Sequence, residues 1–272
     1  MSKLDELKEL REKLNITVTG EENYPYGEPC LIVSNHNCLM DIFYIPTVIN
    51  EDLVSMVSAR LAYKKGERLE VVDKYLNTFP CEAHGGRIYA KLGIDYASDI
   101  LSKGQSISIF PEGAYIPDNT VVHRGRTGAA RILFNARDKG VKPYIVPVSI
   151  NIKDKIEELD NYNPTDNEVE IKILEPLDYE KEYELYKIVN SLKYKNSLYH
   201  SIIDEAMIEI SLSMSKTYIH EYIKLFPKGN VMFANGETVD KDEAQNNEYV
   251  ERYISELKEK ENKLIKTLKY NK

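Results

Sequence analysis

Three stretches of the chain put polar or turn-forming residues directly against an apolar run. Ser34-Asn35-His36-Asn37-Cys38-Leu39-Met40-Asp41 follows Cys30 to Val33, Phe110-Pro111-Glu112-Gly113 follows Ser106 to Ile109, and Val146-Pro147-Val148 lies inside a third run. In open α/β sheets, ligands bind just beyond the carboxyl ends of strands, so these are the places to look for chemistry. His36 precedes Asp41 by five residues across a strand-to-helix turn. A turn of that length can fold the carboxylate back onto one imidazole nitrogen. The carboxylate then fixes the tautomer, and the other nitrogen is left to take a proton from a substrate. The competing reading is structural, with His36 and its flanking asparagines capping the helix that follows.

Other reactive residue types carry less. Cys38 lies two residues from His36, but a small buried thiol explains it better than a Cys–His nucleophile. Cys81 and His84 with Glu112 have no recognisable ligand spacing, so no metal is expected. Gly125-Arg126-Thr127-Gly128 opens a helix, which either binds an anion of a donor substrate or is a tight turn packed through glycine. His123, His200 and His220 receive no role.

The elements needed to position these residues can be read from periodicity. Leucines at 4, 7, 10 and 14 mark a first helix packed on the domain. Residues 16 to 20 and 30 to 33 read as strands. From there helices and strands alternate, with helices over 41 to 49, 67 to 76, 89 to 102 and 127 to 138. Strands are expected over 53 to 59, 78 to 81, 106 to 110 and 144 to 152. Residues 169 to 174 alternate apolar with charged, the pattern expected of an edge strand. The fold class is therefore α/β, a mixed but mostly parallel sheet flanked by helices. Residues 1–177 form this domain, and 178–272 are a helical extension packed on it, ending in a helix near 248 to 269. Tyr179, Tyr183, Tyr186, Tyr194 and Tyr199 in that extension either line an acyl groove or belong to the core.

Composition sets limits. The chain has 272 residues, 42% of them hydrophobic and 29% charged, enough apolar material for a substantial core. Against 36 basic residues stand 44 acidic ones, a net charge of −8, which argues against nucleic acid as a partner. Three cysteines without a CxxC spacing suit a reducing compartment. The charged N-terminus predicts no signal peptide, and no run approaches the roughly 20 apolar residues of a membrane span. Residues 258 to 272 hold six lysines against two glutamates, on a helix whose other face is apolar. They are expected to form the solvated face of a packed helix, with contact to an anionic membrane or an acidic carrier protein as the alternative.

The order N-H-x4-D, F-P-E-G, V-P-V, carried by His36 and Asp41, by Phe110 to Gly113, and by Val146 to Val148, resembles the glycerolipid acyltransferase family (the PlsC-like, lysophosphatidic acid acyltransferase superfamily). The resemblance runs from about residue 29 to 176. It implies an acyltransferase, using acyl-CoA or acyl carrier protein as cosubstrate and no cofactor. His36 is then the general base oriented by Asp41, and the acceptor attacks the thioester without an acyl-enzyme. Backbone N–H groups of the His36 turn, or a helix N-terminus, are candidate donors to the oxyanion. Glu112 and Gly113 match the acceptor site, where the carboxylate orients a hydroxyl. The family's phosphate-binding arginine falls on His84 or Arg87, and Arg87 fits better because a guanidinium binds phosphate through two parallel hydrogen bonds. Ala114 and Tyr115 stand where the family commonly has Thr-Arg, and Arg124 and Arg126 could compensate. The acceptor implied is a lysophospholipid-like hydroxyl. An amine or hydroxyl of a soluble specialised metabolite is the second reading, and a non-catalytic acyl-chain or lipid-binding protein the third. The expected location is cytoplasmic, with peripheral contact at the inner membrane face.

Overall fold

The structure is a computed structural model that describes residues 2–63, 67–82, 85–115, 117–153, 168–223 and 229–270. Strands β1 (Ile16–Thr19), β2 (Cys30–Ser34), β3 (Val54–Ser58), β4 (Asn77–Cys81), β5 (Ile107–Ile109), β7 (Tyr144–Ile152) and β8 (Val169–Ile173) form one sheet of order β1-β8-β7-β2-β5-β3-β4. From β7 to β4 all neighbours are parallel, β8 is antiparallel to β7, and β1 is parallel to β8. The carboxyl ends of β2 and β5, paired side by side, therefore point the same way, which brings the His36 and Glu112 stretches together.

Nearly continuous apolar strands need both faces covered. Helices α1 (Lys3–Lys13) and α2 (Asp41–Val48) cover one face, where Ile32, Val146, Val148, Ile150 and Ile171 pack with Tyr44 and Ile45. Over the other face lie α5 (Arg87–Ser102), α6 (Gly128–Asp138), α8 (Leu192–Ser213) and α9 (Asn247–Tyr270), packing on Leu31, Val33, Phe79, Ile107 and Ile145. Two short helices, α3 (Ala59–Tyr63) and α4 (Glu67–Tyr75), follow β3. In α9 Leu257 and Leu264 are buried, so the lysine-rich helix is docked on the domain through these residues. Among the described residues, no helix is long and apolar enough to cross a membrane.

Two expectations change. β8 is not at the edge, since β1 lies outside it. Its alternation reflects two different faces: Val169, Ile171 and Ile173 enter the core, while Glu170 and Lys172 line a cavity of about 220 Å³ with Thr17, Ser149, Asn151 and Met214. Alternation reports what each face meets and does not report a free edge. Secondly, the region after 178 is mostly helical but adds β9 (Thr217–Ile219), which pairs with β6 (Val121–His123), and the hairpin β10 (Asn230–Met232) with β11 (Thr238–Asp240). Its helix α7 (Glu180–Ile188) and α8 bring Tyr179, Tyr183, Tyr186 and Tyr199 around Phe134 with ring centroids 4.9 to 6.2 Å apart, a core cluster, whereas Tyr194 stays exposed.

Helix α8 ends in a capped turn. The Lys216 N–H donates to Ser211 O at 2.9 Å and the Ser215 N–H to Leu212 O at 3.0 Å, which forms a Schellman cap. Ser215 occupies the left-handed position at φ 57°, where glycine is usual. Because a Cβ there costs about 1 kcal/mol, Ser215→Gly is expected to stabilise the fold by roughly that amount in urea unfolding. An unchanged or lower midpoint would mean the serine side chain offsets its own strain.

Candidate active site

All five residues of β2 are buried, and the chain leaves the sheet at Asn35. The Asn35 amide takes over where the strand stops. Its Oδ1 accepts the Ile150 N–H at 2.9 Å, and its Nδ2 donates to Ile150 O at 2.8 Å and to Asn37 Oδ1 at 2.9 Å. Asn37 in turn donates through Nδ2 to Asp118 O at 2.9 Å. These bonds hold the His36 turn between β7 and the loop after β5.

Asp41 opens α2 and is fully buried. Its Oδ2 accepts the Asn37 N–H at 2.6 Å, the Cys38 N–H at 2.9 Å and His36 Nδ1 at 2.9 Å. A carboxylate oxygen is a pure acceptor, so the proton between the two side chains sits on Nδ1. The Nε2 lone pair is then free to act as a base. The imidazole lies flat on Phe110 at 4.2 Å between ring centroids, with the edge of Tyr115 at 5.3 Å, and its side chain is 12% exposed. The ring is thus fixed from one side by hydrogen bonding and from two others by packing.

The Cys38 thiol faces Asp41 Oδ1 at 3.3 Å. Burial and the adjacent carboxylate push its pKa far above the usual thiol range, so a thiolate nucleophile is not available here.

In the structure Glu112 takes main-chain partners. Its Oε2 accepts the His36 N–H and its Oε1 the His123 N–H, each at 2.7 Å, and the residue is 3% exposed. Both oxygens are engaged with main chain, and the carboxyl clamps the His36 turn to β6. Burial pushes its pKa up to about 8, against the downward pull of the two N–H bonds and of Lys216. Of the expected oxyanion donors in the His36 turn, the N–H groups of His36, Asn37 and Cys38 are already taken by Glu112 and Asp41.

The remaining predicted residues separate. Gly113, at φ 79°, turns the chain under Arg126, where a Cβ would come within 3.0 Å of Arg126 Nε. Arg126 donates to Ile223 O at 2.9 Å, and its Nε is buried without a hydrogen-bond partner. Arg124 is not free for a substrate, because Nε and Nη2 donate to the two oxygens of Asp204 at 2.8 and 2.7 Å. Arg87 is exposed at the start of α5, and His84 lies outside the described residues. Gly125 packs so closely that a Cβ would come within 2.5 Å of Ile203, which favours helix packing over an anion site. Among the described residues, no three His, Cys, Asp or Glu side chains converge as a metal would require.

Sequence reasoning missed Phe110 and Tyr115 as the walls around His36, and Asn35 and Asn37 as its frame. Lys216, whose Nζ is closed to solvent without a hydrogen-bond partner, gave no sequence signal at all.

No curated protein matches the chain. A solved structure, the 1-acyl-sn-glycerophosphate (LPA) acyltransferase PlsC from Thermotoga maritima, is 21% identical over 76% of this chain and 79% of its own, with a TM-score of 0.47. The family model described as Acyltransferase matches residues 15–151, just over half of the chain and the whole of the His36, Glu112 and Val146 stretches. The protein belongs to the acyltransferase family and is an enzyme of that class.

Proposed function

We propose that the enzyme moves an acyl group from an acyl thioester, either acyl-CoA or acyl carrier protein, to the hydroxyl of a lysophospholipid-like acceptor. The observation that carries this is the His36–Asp41 pair, whose Nε2 is left as a free base by the 2.9 Å bond to Nδ1. The acceptor hydroxyl gives its proton to Nε2 while its oxygen attacks the thioester carbonyl carbon. The tetrahedral intermediate collapses with cleavage of the C–S bond, and the imidazolium returns the proton to the leaving thiolate. Asp41 supports the transient imidazolium. The elevated Cys38 pKa supports direct transfer over an acyl-enzyme.

For the acceptor, Arg126 beside Gly113 is the cation best placed to meet a phosphate, since Arg124 is held by Asp204. Arg126→Ala is expected to raise KM for a phosphate-bearing acceptor about tenfold or more while leaving KM for the thioester unchanged. Equal KM values in both proteins would remove the arginine from acceptor recognition. A water-soluble acceptor is the second reading, favoured by Tyr115, which places an aromatic edge beside His36. A cytoplasmic enzyme in peripheral contact with the inner membrane face suits the lipid reading.

The deciding assay incubates purified protein with labelled acyl-CoA or acyl carrier protein and a panel of lysophospholipids, amines and soluble alcohols. The expected product is an acylated lysophospholipid that requires the thioester. Acylation of soluble compounds alone would establish the second reading, and thioester hydrolysis without transfer would overturn both.

A further inference from the structure

Helix α7 meets different surroundings on its two faces. Tyr183 and Tyr186 pack on Phe134, with ring centroids 5.3 and 4.9 Å away, while Leu185 and Ile188 are turned outwards. The helix stops at Ile188, and three residues later α8 begins at Leu192. Ile188, Leu192 and Tyr194 are gathered at this helical corner, 63 to 73% exposed. Among the described residues, Leu212 is the one other large apolar side chain exposed to that degree. Single surface leucines are ordinary, but three such side chains within seven residues mark a contact surface.

The charge around the corner is opposite to that of the molecule. Residues 185 to 196 hold Lys187, Lys193 and Lys195 and no acidic residue, in a chain of net charge −8. Lys187 reaches Asp138 at 3.3 Å, Lys195 lies over the Tyr186 ring at 4.2 Å, and Lys193 is exposed. Apolar side chains flanked by lysines, with a tyrosine among them, match the layers of an anionic bilayer surface. The apolar groups enter the acyl boundary, the ring sits at headgroup level, and the long lysine stems reach back to phosphate. Protruding side chains also suit lipid, which closes around them, whereas a protein partner needs a pocket for each. The corner is tied to the start of α6, where Arg131 Nη2 donates to Asn196 Oδ1 at 2.8 Å, and α6 begins two residues after Arg126, the cation beside Gly113. In the lysine-rich α9, by contrast, Leu257 and Leu264 are turned into the domain.

We propose that the α7–α8 corner docks the enzyme on an anionic membrane surface: Ile188, Leu192 and Tyr194 enter the interface, and Lys193 and Lys195 meet lipid phosphates. Its use in catalysis rests on the lysophospholipid reading given above, but the docking is measured without it.

Vesicles of phosphatidylcholine, alone or mixed with phosphatidylglycerol, are sedimented with wild type, Ile188→Glu/Leu192→Glu, Lys193→Gln/Lys195→Gln and Leu212→Glu. Leu212 is the control, equally exposed but about 30 Å further along α8. Wild type is expected to bind the mixed vesicles at least about tenfold more tightly than phosphatidylcholine alone. Each double variant is expected to lose about tenfold or more on mixed vesicles, and Leu212→Glu less than about twofold. The replaced side chains lie at the surface, so Tm is expected to stay at the wild-type value. The chain has no tryptophan, so Tyr194→Trp places a single indole at the corner. Its emission is expected to shift to the blue on mixed vesicles, a readout that needs no weakened variant. Absence of wild-type binding, equal binding to both vesicles, undiminished binding in either double variant, or an equal loss in Leu212→Glu overturns the proposal, as does an unshifted indole. If wild type ignores vesicles but self-associates or retains acyl carrier protein through these residues, the corner is a protein interface and the proposal is likewise overturned. Acylation of soluble acceptors alone, with vesicle binding intact, would sink the lysophospholipid reading and leave the docking standing.

Discussion

His36→Ala is expected to lower kcat by about 10²- to 10⁴-fold, the span that a positioned general base contributes. The imidazole is only 12% exposed and makes one side-chain hydrogen bond, so its removal should leave the fold almost intact. Asp41→Asn separates charge from geometry. With its amide oxygen in the place of Oδ2, the asparagine still accepts the N–H groups of Asn37 and Cys38 and the Nδ1 proton, but it no longer supports an imidazolium. A fall in kcat of about 10²-fold or more with Tm nearly unchanged is expected. Asp41→Ala adds the cost of stranding two buried N–H donors, about 1–3 kcal/mol each, and should lose stability as well. Steady-state kinetics beside thermal unfolding checks all three, and wild-type kcat in Asp41→Asn would remove the dyad from the mechanism.

Replacing Glu112 has the opposite signature, with stability affected first. Glu112→Ala leaves the His36 and His123 N–H groups without acceptors in a buried site, a loss of about 2–5 kcal/mol. Activity then falls because the His36 turn loses its clamp. The pH dependence follows from the raised pKa of about 8. The folded state keeps this proton where the unfolded chain releases it near 4.5, so the contribution is fully present below that value and is lost as pH rises through about 8. Lys216 runs the other way: its pKa is lowered from 10.5 to about 8, so its burial penalty fades as pH rises from 8 towards 10.5. Glu112→Gln is expected to flatten Tm against pH between 5 and 8 while leaving the alkaline branch alone. A slope equal to wild type in that window would show that some other group titrates there.

What could be read in advance follows sequence separation. His36 and Asp41 lie within six residues on a strand-to-helix turn, so their spacing suggested a bond to one imidazole nitrogen, which the structure places at Nδ1. The strand patterns placed both motifs at the ends of β2 and β5, where pairing makes them neighbours. The role of Glu112 was not legible, because an acidic residue looks the same whether it meets a hydroxyl or a main-chain N–H from residue 36. The three residues of β6 carry too short a pattern to read, and their partner lies near residue 217. Lys216 shares that distance. The chain fragment 258 to 264 was readable as a packed helix because its apolar spacing continues from Ile254 and Leu257.

The pairing of β6 with β9 also sets an order of events during synthesis. A growing chain that has emerged as far as Ile173 already possesses every strand of the main sheet. The backbone of the loop that carries Glu112 and meets the His36 turn is held at β6, and β6 gains its strand partner only when Thr217 to Ile219 leave the ribosome. Gly125 likewise waits for Ile203 and Met207 of α8 to pack against it. The sheet can therefore form before the loop that carries Glu112 has its full support, and acyltransferase competence should arrive late, after the scaffold.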